Sequence, residues 1–306
     1  MPEPTLAVDL GGTTMRAAVV AADGEVLRRR TQPTPRQDRC PDALLRLVGE
    51  LLAAEPVARA VIGVPGRIDH REGALEYAPN LPEHWPEALR EDLLREHLGV
   101  PVALANDADL ATVGEACFGA GRGADDVVYL TFSTGVGAGV VLGGRLLRGR
   151  RSAAELGHTV IDRAALARGE PATVEDLGSG TAFGRLGAAR GLPGSGAELS
   201  ALVRGGDPAA IEVWEQVVAV VAAAVTNTAH LFAPEVVVLG GGLGRDPQLL
   251  EPVRAAVHRH GPRALDPPIA VRSAALGDDA GLVGAAGWAR LAGPAPTATT
   301  VRAATS

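Results

Sequence analysis

Several short stretches of this chain combine residue types that can do chemistry. Asp9-Leu-Gly-Gly-Thr13-Thr14 ends an apolar run with a carboxylate and follows it with two glycines and two threonines. Glycines let backbone N–H groups approach phosphate oxygens, and threonine hydroxyls add donors. A strand-end carboxylate can hold Mg²⁺ through water. The same stretch also reads as a plain hairpin with an Asp at its entry. A second stretch, Thr131-Phe-Ser-Thr134-Gly135-Val-Gly137-Ala-Gly139, repeats the type. Two Gly/Thr turns, one per half, are what clamping a polyphosphate from two sides requires. Neither has the strand-turn-helix shape of a dinucleotide fingerprint. A third cluster, Gly240-Gly-Gly-Leu-Gly244, follows an apolar run. It suits close backbone approach to an adenine or ribose, and equally a tight strand-to-helix turn. Asn106-Asp107 offers an amide for a sugar hydroxyl and a carboxylate that can take its proton. Phosphoryl transfer needs little more than positioning, charge neutralisation and such a base. Both residues are also favoured helix N-caps. Glu155-Leu-Gly-His158 and Glu175 can point at a polyol, or can be exposed loop side chains.

The elements that carry these residues follow from periodicity. Thr5–Leu10 reads as a strand, with strands over 16–22 and 25–31 behind it and Asp23-Gly24 as a hairpin turn. The spacing predicts helices over 42–54, 87–98 and 108–118, and strands over 60–64 and 102–105. A second set follows: a strand over 127–132, a Gly-rich turn-strand-turn over 133–144, and the longest helix over 209–232. A strand over 236–239, a helix over 247–260, a strand over 269–273 and a helix over 280–291 complete it. Val127–Val141 echoes Leu6–Val20, which suggests a duplicated α/β architecture. The tail from Gly293 has no periodicity and is expected to be disordered.

Composition narrows the classes. The chain has 306 residues, enough for two domains, and a formal net charge of −7. An acidic balance argues against a nucleic-acid surface. The sequence contains no lysine, which excludes a P-loop and a Schiff-base enzyme. Its two cysteines, Cys40 and Cys117, are too few for a disulfide framework. No apolar span is expected to cross a membrane. The N-terminus reads without a signal segment, so a cytoplasmic location is expected.

Taken together, these stretches resemble the ROK family (repressor, open reading frame, kinase), in its bacterial glucokinase branch. The resemblance runs from about Leu6 to about Leu291. It rests on the order and spacing of DLGGTTMR (9–16), GVPGRID (63–69), APNL (78–81), ND (106–107), STGVGAGVV (133–141), ELGH (155–158), VEDLGSGTA (174–182), LGGGLG (239–244) and LGDDAGLVGAA (276–286). It implies an α/β, two-domain, actin-like (ribonuclease H-like) sugar kinase fold with an inter-domain cleft. The domains would be 1–107 plus 279–292 (small) and 108–278 (large), with 293–306 as the tail. It implies ATP-dependent phosphorylation of a hexose or hexose-like polyol at a primary hydroxyl. Asp9, Gly11, Gly12 and Thr13 would form the first phosphate turn, with Asp9 holding Mg²⁺ through water. Thr134, Gly135 and Gly137 would form the second, and Gly241 and Gly242 would lie near the adenosine. Gly66, Asn80, Asn106, Asp107, Glu155, His158 and Glu175 would line the sugar pocket, with Asp107 as the base. A homodimer is the usual assembly in the family.

One departure stands out. Many members carry a zinc motif, C-x-C-G-x-x-G-C-x-E, together with the ELGH histidine. Anchored on Glu175 without gaps, the family glycine falls on Gly169, and the cysteine positions fall on Leu166, Arg168 and Thr173. No thiolate remains, so no zinc is expected. The acceptor could then be glucose, an amino sugar such as kanosamine or an N-acetylhexosamine, or a cyclitol. Polyphosphate is a second donor used by relatives. The family's DNA-binding repressors carry a module before the first turn, which would not fit ahead of Asp9. A non-catalytic sugar-binding regulator remains the alternative class, although Asp9, Asp107 and both turns are in place.

Overall fold

The computed structural model describes residues 3–37, 40–150 and 154–293. Its strands in chain order are β1 (Thr5–Leu10), β2 (Thr14–Val20), β3 (Val26–Pro33), β4 (Arg59–Val64), β5 (Arg67–Asp69), β6 (Ala74–Tyr77), β7 (Val102–Asn106), β8 (Val127–Phe132), β9 (Val136–Leu142), β10 (Arg145–Leu146), β11 (Val236–Gly240) and β12 (Ala270–Ser273). The chain divides into two compact units. One comprises Met1–Gly114, Arg145–Ala153 and Asp279–Ser306, the other Glu115–Gly144 and Ala154–Asp278. The expected tail, 293–306, lies outside the described residues apart from Gly293.

The first unit is built on a sheet ordered β3-β2-β1-β4-β7. β1 pairs antiparallel with β2 and parallel with β4, and β4 pairs parallel with β7. The apolar runs of β1 and β4 are buried on both faces, as parallel central strands must be. On one face, Leu6, Met15 and Ile62 share a core with Leu44, Leu47 and Leu51 of the helix Cys40–Ala54. Its buried positions 40, 43, 44, 47, 48 and 51 follow the helical stripe. The final helix, Ala280–Leu291, packs against β1, β2 and β4. It meets the helix Asp107–Phe118 at two glycines. A Cβ on Gly114 would lie 2.2 Å from the Ala280 carbonyl oxygen, and one on Gly284 would lie 1.9 Å from that of Leu110. Only two bare backbones fit at that crossing.

The continuous helix expected over 87–98 is broken. Pro86–Ala88 is a 3₁₀ turn, and the α-helix begins at Glu91. Between them Arg90 is extended and bridges Ala74, while the Leu89 carbonyl accepts from Leu75 N–H and Glu91 N–H donates to Gly73. Backbone pairing with β6 takes the groups that a helix would have used.

The second unit carries the sheet order β9-β8-β11-β12, with the same antiparallel hairpin followed by parallel neighbours. The sequence echo is therefore a repeated topology. Its core gathers Val128, Leu130, Phe132 and Val237 with Phe183 and Trp214, whose rings meet edge-on at 5.6 Å. Four helices over 163–204 were absent from the sequence reading. Each has nine residues or fewer, too short for periodicity to register. Contrary to the sequence expectation, the helix Pro208–Phe232 is long and apolar enough to cross a bilayer. More than half of that stretch is buried in the unit's core, which accounts for its composition.

Candidate functional site

The parallel strands of the first unit end at one edge. Asp9 of β1 is level with Gly63 of β4, and Gly63 with Ala105 of β7. Asp9, Gly66, Asn106 and Asp107 therefore emerge from the same side of the sheet. In open α/β sheets this is the side that meets ligands. Two strand spacings separate β1 from β7, on the order of 10 Å.

The first Gly/Thr turn joins β1 to β2, closed by Gly11 N–H donating to the Thr14 carbonyl at 3.0 Å. The carbonyls of Gly11, Gly12 and Thr13 face one backing segment. Gly11 accepts from the Thr34 hydroxyl at 2.5 Å, Gly12 from the Arg36 guanidinium at 3.0 Å, and Thr13 from Thr34 N–H at 2.9 Å. A trans peptide points its N–H opposite to its C=O. The N–H groups of Gly12 and Thr13 are thus aimed away from the backing segment, which makes a concavity that favours an anion. A Cβ on Gly12 would lie 2.6 Å from the Asn80 carbonyl oxygen, so Asn80 sits against this turn.

Asp9 is held by Arg16, whose Nε and Nη2 reach its Oδ2 at 3.1 and 2.5 Å. Its charge is thereby balanced. With Oδ2 engaged by the guanidinium, the carboxylate would meet a magnesium ion through the waters that such an ion retains.

Asn106 is the N-cap of the helix that begins at Asp107. Its Oδ1 accepts from Ala108 N–H at 2.9 Å, and its Nδ2 donates to the Gly66 carbonyl at 3.0 Å. The capping reading and the positional one hold together here. Asn106 locks Gly66 and the start of the helix to each other. Asp107 is exposed at that start, and its Oδ1 accepts from Ala108 N–H at 2.9 Å. Gly66 is glycine for space, since a Cβ would lie 2.1 Å from the Tyr77 carbonyl oxygen.

In the second unit, Thr131 is level with both Gly137 and Gly240. The second turn and the Gly240–Gly244 cluster thus share one sheet edge. This turn is backed in the same way as the first. The Ser133 carbonyl accepts from Gly180 N–H at 2.6 Å and that of Thr134 from the Thr181 hydroxyl at 2.7 Å. The N–H groups of Thr134 and Gly135 consequently point away from residues 180–181. Glu175 Oε2 accepts from Val136 N–H at 2.8 Å. A Cβ on Gly135 would fall 2.5 Å from that same oxygen. Gly137 lies on β9, one strand residue beyond Val136.

Glu155 precedes a 3₁₀ turn and His158 ends it, both are exposed, and they approach each other at 4.0 Å. The segment behind them has closed without thiolates. Asp162 caps a short helix through Ala164 and Ala165 N–H, Ile161 and Asp162 N–H donate to the Ala172 carbonyl, and Thr173 with Asp176 forms a capping box. Leu166 is exposed, Arg168 pairs with Glu170 at 2.7 Å, and Thr173 is the N-cap of the helix bearing Glu175.

Gly241 has φ +77°, and a Cβ there would lie 2.4 Å from the Phe132 carbonyl oxygen. Its type follows from the turn. Gly242 faces open space within 4 Å, so a ligand can approach its backbone. Sequence reasoning passed over Arg16, Thr34, Arg36, Gly180 and Thr181. Arg16 faces Asp9 across the β1–β2 hairpin, a local register that could have found it, whereas the signal of Thr34, Arg36, Gly180 and Thr181 is tertiary, because no local pattern connects them to the turns they hold.

Comparison with known proteins gives a consistent result. A glucokinase of Thermotoga maritima is 35% identical over 92% of this chain and 95% of its own. The solved structure of a ROK hexokinase from Thermus thermophilus superposes with a TM-score of 0.78 at 34% identity, covering 92% of this chain and 96% of that one. A ROK family glucokinase from Streptomyces griseus, solved with glucose and AMPPNP, gives 0.76 at 32% identity over 92% and 98%. The family model described as ROK family matches residues 5–292, which takes in both backed turns, Asp107 and the Gly240 cluster, and the chain belongs to that family.

Proposed function

We propose that this protein transfers the terminal phosphoryl group of ATP to the primary hydroxyl of a hexose, giving the 6-phosphate. The observation that carries the reading is the pair of Gly/Thr turns whose carbonyls are tied back, so that N–H groups face outward. Such donors, fixed before the substrate arrives, stabilise the charge of a transferring phosphoryl group. Likeness to the Streptomyces griseus enzyme, solved with glucose and AMPPNP, supports the same donor and acceptor class.

In this reading Asp9, Gly11, Gly12 and Thr13 of the first unit bind phosphate, and so do Thr134, Gly135 and Gly137 of the second. Gly241 and Gly242 lie along the adenosine. Magnesium, held through water at Asp9, would neutralise phosphate charge. Asp107 accepts the proton of the attacking hydroxyl, as its exposed place at a helix start allows. Asn106, Gly66 and Asn80 on the first unit and Glu155, His158 and Glu175 on the second orient the acceptor. A cytoplasmic location and a homodimeric assembly are what we infer for such an enzyme.

A second reading, an amino sugar or cyclitol as acceptor, is favoured by the altered segment 159–176 beside Glu155 and His158. A panel of hexoses, amino sugars and cyclitols, each assayed with ATP and Mg²⁺, decides between them. Turnover of glucose or mannose above all others supports the first reading. No phosphoryl transfer to any member would leave a sugar-binding regulator and overturn the enzyme assignment.

A further inference from the structure

Both Gly/Thr turns are backed by a threonine hydroxyl on a separate segment. Thr34 donates to the Gly11 carbonyl at 2.5 Å, and Thr181 donates to that of Thr134 at 2.7 Å. Neither threonine belongs to the turn that it holds, and their places in the chain differ. Thr34 follows β3 and is buried, while Thr181 is exposed in the first turn of a helix capped by Ser179. The shared feature is the bond, made each time from behind to the turn's carbonyl side.

The consequence is orientation. A peptide is planar, so fixing a carbonyl fixes the N–H of the next residue in the opposite direction. Thr34 sets Gly12 N–H and Thr181 sets Gly135 N–H. A turn without that bond is free to rotate its peptide, and with glycine next in sequence the rotation meets little steric resistance. Glu175 adds a third constraint at Val136 N–H, and Gly180 N–H a fourth at Ser133. We propose that Thr34 and Thr181 are positioning residues for the phosphate donor, each holding a turn's N–H groups outward before nucleotide binds. This inference rests on the kinase reading, and it adds two residues that touch neither substrate.

The test uses Thr181→Val and Thr34→Val, which keep shape and remove the O–H, beside Thr181→Ser and Thr34→Ser, which keep it. Binding of the non-hydrolysable analogue AMPPNP with Mg²⁺ is measured by calorimetry, and KM for ATP and for the acceptor by coupled assay. One ordinary hydrogen bond corresponds to roughly a three- to tenfold change in affinity. Each Val variant should bind AMPPNP weaker by that factor, with KM for ATP raised likewise and KM for the acceptor unchanged. The Ser variants should match the wild type. Thr181 is exposed, so its substitution leaves the core intact and carries the test even if Thr34→Val folds poorly. Wild-type affinity in Thr181→Val, or equal weakening in Val and Ser variants, overturns the inference alone. Failure of the wild type to bind AMPPNP overturns the ATP-dependent kinase reading with it.

Discussion

Gly281→Ala and Gly284→Ala are the same chemical change, three residues apart on the final helix, and they should have opposite effects. At Gly284 a Cβ would lie 1.9 Å from the Leu110 carbonyl oxygen and 2.8 Å from its carbon, both backbone atoms that cannot rotate aside. The helix Asp107–Phe118 would have to move by more than ~1 Å, and such overpacking costs ~1–3 kcal/mol. Alanine's helix propensity returns at most ~1 kcal/mol of this. A 1.9 Å contact with backbone belongs at the upper end of that cost, so the net is a loss of about 2 kcal/mol, or a Tm lower by roughly 4–8 °C for a unit of this size. At Gly281 a Cβ meets nothing within 4 Å. There the propensity term acts alone, for a gain of up to ~1 kcal/mol. Thermal and urea melts of the two variants beside the wild type read both signs. Leu110 lies one helical turn from Asp107, so Gly284→Ala should also lower kcat. A Gly284→Ala protein as stable as the wild type, or two variants shifted in the same direction, would refute the close-crossing argument.

Three further outcomes are expected. Asp107→Asn should lower kcat by ~10²–10⁴ while the acceptor still binds, since loss of a positioned base has that effect; near-wild-type turnover would remove Asp107 from the role. Elemental analysis after chelation and dialysis should find well under one zinc per chain, because Leu166, Arg168 and Thr173 offer no thiolate; one retained equivalent would reveal ligands not identified above. His70, with Nε2 buried and unpartnered, has its pKa pushed down to about 4 by burial and by Arg148, against the pull of Asp69. The unfolded chain then binds the extra proton between the ordinary histidine pKa and about 4, so stability is lost as pH falls through that window, by up to ~1.4 kcal/mol per pH unit. His70→Asn should show a shallower acid slope in urea melts at pH 6.5 to 4.5, and an unchanged slope would refute the assignment.

Much of this molecule was legible because its signals are local. The strand Thr5–Leu10, the strand Val127–Phe132 and the helices Pro247–His260 and Ala280–Leu291 have the boundaries that periodicity predicts. Asn106-Asp107 at a strand end and the two Gly/Thr turns were likewise readable from residue type. What escaped was relational. The helix over 87–98 is split because Leu89 and Arg90 bond to β6, a partner that periodicity cannot see. The chain also returns to the first unit over Arg145–Ala153, which the sequence reading had left with the large domain. His70 N–H donates to the Arg150 carbonyl, and Arg150 pairs with Asp69 at 3.0 Å. Those contacts span about eighty residues and leave no trace in composition. The glycines divide in the same manner. Gly135 is small to admit Glu175, and Gly241 to admit Phe132, so their type alone did not separate packing from ligand approach.

The segment from Thr159 to Asp176 closes on main-chain bonds, an Asp cap and a capping box. Its order is written entirely into the polypeptide. A loop stapled by thiolates waits for a metal to be delivered and for its sulfurs to stay reduced. The bonds that close this one use main-chain groups, Asp162, Thr173 and Asp176, and none of them needs a metal ion or a reduced sulfur. The cysteines elsewhere do not undo that independence. Cys40 and Cys117 are both buried, and burial pushes the Cys40 thiol up to about 12, where it is inert. A thiolate staple would be open to metal loss and to peroxide, and the helix that carries Glu175 is capped by Thr173 and Asp176 instead.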